Sequence, residues 1–199
     1  MLQEFLAIAS TIFDNNFGPA ILAWSSMYAM TMYKKILKEI DHFNLPVLHG
    51  LSGFGERSVK RLLTGCLVTA NFDVSKLCKS FKQLVVFPVN TLNREKQIGE
   101  GKFVQDLAHT ASSALPAVMS ALNSIHHKDI IAEVARLPDI DRDNRVQEGI
   151  AVPLLVARIV LNLCGCNHFM LDVDQYVRGE IATLLQRCIV KESLENLSY

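Results

Sequence analysis

Apolar side chains recur along this chain mostly at the three- and four-residue spacing of helices, and seldom at the alternate spacing of half-buried strands. Leu2, Phe5, Leu6, Ala9, Ile12 and Phe13 trace one helical stripe, closed by Asp14-Asn15-Asn16-Phe17-Gly18-Pro19. Pro19 suits the first turn of a second helix, because the N–H it lacks has no intrahelical partner there. That helix is expected to run to about Phe43, with "NLPVLHGLSGFG" after it as a connection rich in breakers. A third helix fits Glu56 to about Ala70, with Val59, Leu62, Leu63, Cys66 and Leu67 on one side and Arg57, Lys60 and Arg61 mostly outward. Asp73 is placed to cap a fourth, whose apolar face is Val74, Leu77, Cys78 and Phe81.

The run "LVVFPV" at 84–89 is short and β-branched, and Pro88 assigns it to a sheet edge or an extended linker. Residues 90–102 form the clearest surface loop. Phe103, Leu107, Ala111, Leu115, Val118, Leu122 and Ile125 mark a long helix with Pro116 inside it, where a kink is expected. Further helices fit about 128–137, 151–163 and 171–190, with Pro153 near a helix start. The pattern therefore predicts a mainly α, helical bundle-like single domain over 1–199, with at most one or two short strands and a possible subdivision at 90–102.

Composition agrees with a packed core. At 199 residues, 50% apolar and 20% charged, the chain has enough apolar surface to fold without disulfides or metals. Its five cysteines are odd in number and irregular in spacing, which predicts no disulfide framework and a reducing, cytoplasmic setting. Glu4 stands where a secretory leader carries positive charge, so no signal peptide is read. Residues 15–33 carry no charge, but their Asn, Gly, Pro, Ser and Thr content makes a poor bilayer anchor, and no membrane insertion is expected.

Net charge is zero and unevenly spread, with a balance of +5 over 53–102 and −4 over 129–199. Such complementary zones fit either an internal match or two surfaces for different partners.

Chemistry is harder to find. The stretch "HGLSGFGERSVKR" at 49–61 lacks the Gly-Lys-Ser/Thr of a phosphate-binding loop. It also lacks the third glycine and the preceding strand of a dinucleotide fingerprint. Gly53 to Leu63 approximates the turn and recognition helix of a DNA-reading motif, although the helix that should precede the turn contains Pro46 and Gly50. Cys164, Cys166 and His168 lie close enough in sequence to offer zinc ligands, but without the usual cysteine spacing or a second pair they read as a turn between helices. Asp139, Asp141 and Asp143 alternate as a calcium loop begins, yet Asn144 and Ile150 occupy the positions of its glycine and bidentate glutamate. Asp106 and His109, one turn apart, form a possible proton-transfer pair with no nucleophile assignable to it. No catalytic residue, cofactor or metal is inferred.

The segment "WSSMYAMTMY" at 24–33 is apolar around much of its circumference. Trp24, Met27 and Tyr28 are the core candidates on it, and Met30 and Tyr33 the partner-binding candidates, since methionine and tyrosine suit adaptable interfaces. The leading expectation is a non-enzymatic protein–protein interaction adaptor or chaperone-like subunit of a larger assembly, with protein partners and no small-molecule ligand. The alternatives are a helix-turn-helix DNA-binding regulator using residues 53–63, or an enzyme whose site assembles only in three dimensions.

Overall fold

The computed structural model describes residues 2–49, 68–70, 84–89, 115–138 and 143–188, and its described elements are numbered here in chain order. The first stripe forms α1 (Leu2–Phe13), followed by a 3-10 turn over Asp14–Asn16. The second helix is in fact two. Helix α2 (Phe17–Thr31) stops at Met32, whose N–H bonds back to Ala29, and α3 (Tyr33–Ile40) restarts beyond it and closes on Asp41 in the left-handed region at φ 63°. The break falls where the chain changes neighbours: Phe17, Ala20, Ile21, Leu22 and Ala23 join one apolar cluster, and Ala29, Met32, Ile36 and Ile40 a second.

Three short parallel strands follow, one more than the pattern allowed. Strands β1 (Leu45–His49), β2 (Val68–Ala70) and β3 (Leu84–Pro88) lie in the order β2-β1-β3. The register pairs Val47 with Val68 on one side and Leu45 with Leu84, Val47 with Val86 and His49 with Pro88 on the other. Two expectations change here. The connection at 45–49 is a strand, and Val68–Ala70 is a strand where the end of the third helix was expected.

Pro46 disguised β1, since proline rarely sits in a central strand. Among the described residues Pro46 pairs with Val85 of β3, and the described part of β2 begins opposite Val47. Strand β3 is the edge that Pro88 predicted. Val85, Val86 and Phe87 are consecutively buried, as in a parallel sheet covered on both faces.

After the sheet come α4 (Leu115–Leu122), α5 (His127–Val134) and α6 (Asn144–Leu163). Helix α6 starts seven residues earlier than the periodicity indicated, at the Asp143 cap whose carboxylate accepts from Arg145 N–H at 3.0 Å. Asp143 is thus a helix cap, and Pro153 lies inside the helix. Helix α6 divides the two clusters. Val146, Ile150, Leu154, Ala157 and Leu161 face the first, with α1, the start of α2 and the sheet; Ala151, Val152, Val156 and Val160 face the second, with α3, α4 and α5.

This two-sided burial explains why α6 is apolar and long enough to cross a membrane, yet has 67% of its apolar window buried inside the fold. A 3-10 turn (Asn167–Phe169), α7 (Met170–Tyr176) and a π-helical turn (Val177–Ile181) lead into helix over 182–188.

The mainly helical class expected from the periodicity is what the structure shows. Cys188 departs from the reading of its cysteines: it is disulfide-bonded, to a partner outside the described residues. The helices expected at 56–67 and 73–82, the loop at 90–102 and the first part of the Phe103 helix also lie outside the described residues.

Candidate functional site

The parallel strands end together, so the carboxyl ends of β1, β2 and β3 lie along one edge of the sheet. At that edge the Val89 N–H donates to the His49 carbonyl at 2.8 Å, and the Tyr176 hydroxyl donates to the Pro88 carbonyl at 2.8 Å. Tyr176 is held from two directions. Gly18 of α2 comes so near that a Cβ there would stand 2.7 Å from the tyrosine Cβ. Burial pushes the Tyr176 phenol well above its ordinary range, with Glu180 adding to the effect, so the neutral form that donates to Pro88 is favoured.

The same ring lines an open cleft of about 740 Å3 between the start of α2 and the α7/π segment. Asp14, Asp172 and Glu180 contribute carboxylates to it, and among the described residues no lysine or arginine lines it. Asp14 sits at φ 47°, a conformation unusual outside glycine.

A second cluster lies where α5, α6 and α7 meet. Glu133, 1% exposed, accepts from Arg158 through both carboxylate oxygens, Nη2 to Oε1 at 2.7 Å and Nε to Oε2 at 3.1 Å, and from Arg136 Nη1 at 2.8 Å. Arg158 also reaches Asp174 at 3.4 Å. Its guanidinium is held above its usual range chiefly by the hydrogen bond to Glu133, against the opposing effect of burial. A cavity of about 170 Å3 opens beside these groups, with Arg178 of the π turn on its wall. Both cavities therefore border the π turn, a helical irregularity that recurs at functional sites.

The residues singled out by sequence are scattered. Cys164, Gly165 and Cys166 close α6 as a Schellman turn: Gly165 takes φ 66°, Cys166 N–H bonds the Leu161 carbonyl at 2.8 Å and Gly165 N–H the Asn162 carbonyl at 3.0 Å. Cys166 is fully buried, and burial pushes the Cys164 thiol up to about 11, with Cys166 adding to it; burial raises Cys166 as well. The His168 ring lies against that of Phe169, centroids 4.1 Å apart and tilted by 42°. Among the described residues no three His, Cys, Asp or Glu side chains gather as a metal would require.

On α2, Trp24 packs between both clusters, 6.0 Å from Phe5 and 5.1 Å from Tyr28. Met27 lies against the first cluster and Tyr28 against the second. Tyr33 is 47% exposed, and Met30 is half-buried. Beside them Thr31 Oγ1 meets Met119 Sδ of α4 at 3.6 Å, and Lys35 Nζ reaches the Asn123 carbonyl. Asp106, His109, Asp139, Asp141 and the DNA-reading candidate at 53–63 lie outside the described residues.

Sequence reasoning missed Glu133, Arg136, Arg158, Arg178 and Tyr176. The one legible signal was a carboxylate on an apolar stripe, since Glu133 stands three residues after the buried Ile130. Compared with protein-family models, curated proteins and solved structures, the chain matches none.

Proposed function

We propose that the protein is a non-enzymatic binding module that takes a phosphate-bearing ligand, of the nucleotide class, at the carboxyl edge of its parallel sheet. One observation carries this reading: β1, the middle strand, runs directly into Gly50-Leu51-Ser52-Gly53-Phe54-Gly55. The absence of a preceding strand was one ground for setting this stretch aside, and β1 removes that ground. Open parallel sheets take ligands outside the carboxyl ends of their strands where the strand order reverses, and β1, with β2 on one side and β3 on the other, is such a place.

Gly50 and Gly55 have four residues between them, the spacing at which backbone N–H groups surround phosphates, but Glu56 stands where the lysine of a hydrolytic site would be. A carboxylate there supplies no cation to a transferred phosphate and opposes the phosphate charge, so in this reading binding rests on backbone N–H groups and proceeds without turnover. Such binding also departs from the expectation of no small-molecule ligand. Calorimetric titration with ATP and ADP, with and without magnesium, tests the reading. Saturable binding that Gly53→Val and Gly55→Val abolish, with no release of phosphate, is expected. Binding that survives both substitutions, or none at millimolar nucleotide, overturns it.

The adaptor reading stands beside it, supported by the exposure of Tyr33 next to the α2/α3 break. In that reading Met30 and Tyr33 meet a protein partner. Met30→Glu and Tyr33→Glu should then lose a partner that co-purifies with the native protein while melting stays unchanged, because a charge at such a contact is desolvated without compensation. Unfolding of both variants would make these positions core.

A further inference from the structure

We infer that the cavity bordered by Arg136, Arg158 and Arg178 is a binding site for a small monocarboxylate. The inference does not depend on the nucleotide reading, since no residue of this cavity belongs to the strands or to the 50–55 stretch.

Charge comes first. Among the described residues three guanidinium groups and two carboxylates, Glu133 and Asp174, line the cavity, an excess of one positive charge. A monoanion closes that balance, whereas a phosphate dianion would overshoot it.

Donor capacity comes second. Each guanidinium carries five N–H donors. Glu133 uses the Nε and Nη2 sides of Arg158 and the Nη1 of Arg136, and Asp174 shares Arg158 Nη2. The Nη1 of Arg158, the remaining donors of Arg136 and the whole Arg178 guanidinium have no carboxylate partner among the described residues. Arg136 and Arg178 each keep a planar fork that matches the two oxygens of a carboxylate, and Arg158 adds a single donor, Nη1.

Shape comes third. The volume of about 170 Å3 corresponds to roughly five or six waters at about 30 Å3 each, room for a carboxylate on a short chain. Leu137, Pro138, Leu154 and Val177 supply apolar wall for that chain.

Preorganisation comes last. Glu133 is buried and grips Arg158 through both oxygens, so the guanidinium is oriented before any ligand arrives. Arg178 is exposed on the π turn and is available to close over a bound carboxylate. In this arrangement Glu133 is a positioning residue, and Arg136, Arg158 and Arg178 are the binding residues.

Two sources share this chemistry: a free short-chain acid, and the carboxyl terminus of a polypeptide. Nitrogen-15 spectra of the arginine Nε–Hε groups, recorded on the full chain at constant ionic strength, read the site directly. The probes are butyrate, acetate, inorganic phosphate, and one tetrapeptide with its carboxyl terminus free or amidated. Saturable shifts of several arginine signals with butyrate, weaker ones with acetate and none beyond chloride with phosphate are expected. Arg178→Gln should weaken butyrate by about tenfold with melting unchanged, since one charge-assisted contact is lost at an exposed position. Tighter binding of the free-terminus peptide than of butyrate assigns the source to a polypeptide, and the reverse order assigns it to a free acid. The inference fails if no carboxylate gives a saturable shift, if phosphate binds as well as butyrate, or if Arg178→Gln binds butyrate like the parent protein.

Discussion

Removing the Glu133 carboxylate is the sharpest test of how the C-terminal helices are held together. Glu133→Ala deletes three charge-assisted hydrogen bonds, at 2.7, 2.8 and 3.1 Å, from a side chain that is 2% exposed. Truncating one partner of a buried ion pair costs about 3–5 kcal/mol, because the surviving charge is left desolvated. Here the survivors are less trapped than that range assumes. Arg158 is 30% exposed and keeps Asp174 at 3.4 Å, and Arg136 is 59% exposed and turns to water.

The low end, about 3 kcal/mol, is therefore expected. At about 2–4 °C per kcal/mol for a chain of this length, melting should fall by roughly 6–12 °C. Urea unfolding of Glu133→Ala, Arg158→Ala and the double variant isolates the pair, whose coupling should be about 1–3 kcal/mol. Replacing both residues with methionine should recover most of the loss, since an apolar pair of similar volume carries no desolvation cost. A Glu133→Ala cost under about 1 kcal/mol, or single effects that add to within about 0.5 kcal/mol, would show that the bidentate geometry is not held in solution.

Further outcomes follow from other contacts. Gly18→Ala places a Cβ 2.7 Å from Tyr176 Cβ and should destabilise by about 1–2 kcal/mol, overpacking outweighing the gain in helix propensity. Gly179→Ala meets nothing within 4 Å and should be neutral or stabilising by up to about 1 kcal/mol, and equal melting temperatures for the two variants would refute the α2/α7 close approach. Tyr176 has a raised folded-state pKa, so its contribution is complete below the unfolded value of about 10 and is lost as pH rises beyond it. Stability should fall above pH about 10, with less of a fall in Tyr176→Phe, and tyrosinate absorbance from Tyr176 should appear only with unfolding; its appearance in the folded protein would refute the burial. Denatured, unreduced protein should titrate three of its five thiols, because Cys188 is paired; five would refute the bond. In the native state Cys164 and Cys166 should alkylate slowly at neutral pH, because burial suppresses the thiolate.

What the sequence determined alone was whatever depends on local spacing. The stripe of α1, the apolar circumference of α2, the caution attached to Pro88 and the turn at Cys164-Gly165-Cys166 all follow from side chains within a few residues of one another, and each is visible in the fold. Tertiary structure decided what depends on a neighbour distant in the chain. Pro46 read as a breaker because nothing local reveals that it pairs with Val85, 39 positions away, in a parallel strand. The division of α2 from α3 at Met32 follows from two separate clusters competing for one continuous apolar run.

The candidate sites were least legible for the same reason. Glu133 and Arg158 are 25 residues apart and Tyr176 and Pro88 are 88 apart, and neither pair has a spacing that marks it. Burial and a fixed partner turn ordinary residues into a site, and both come from long-range packing that no periodicity encodes.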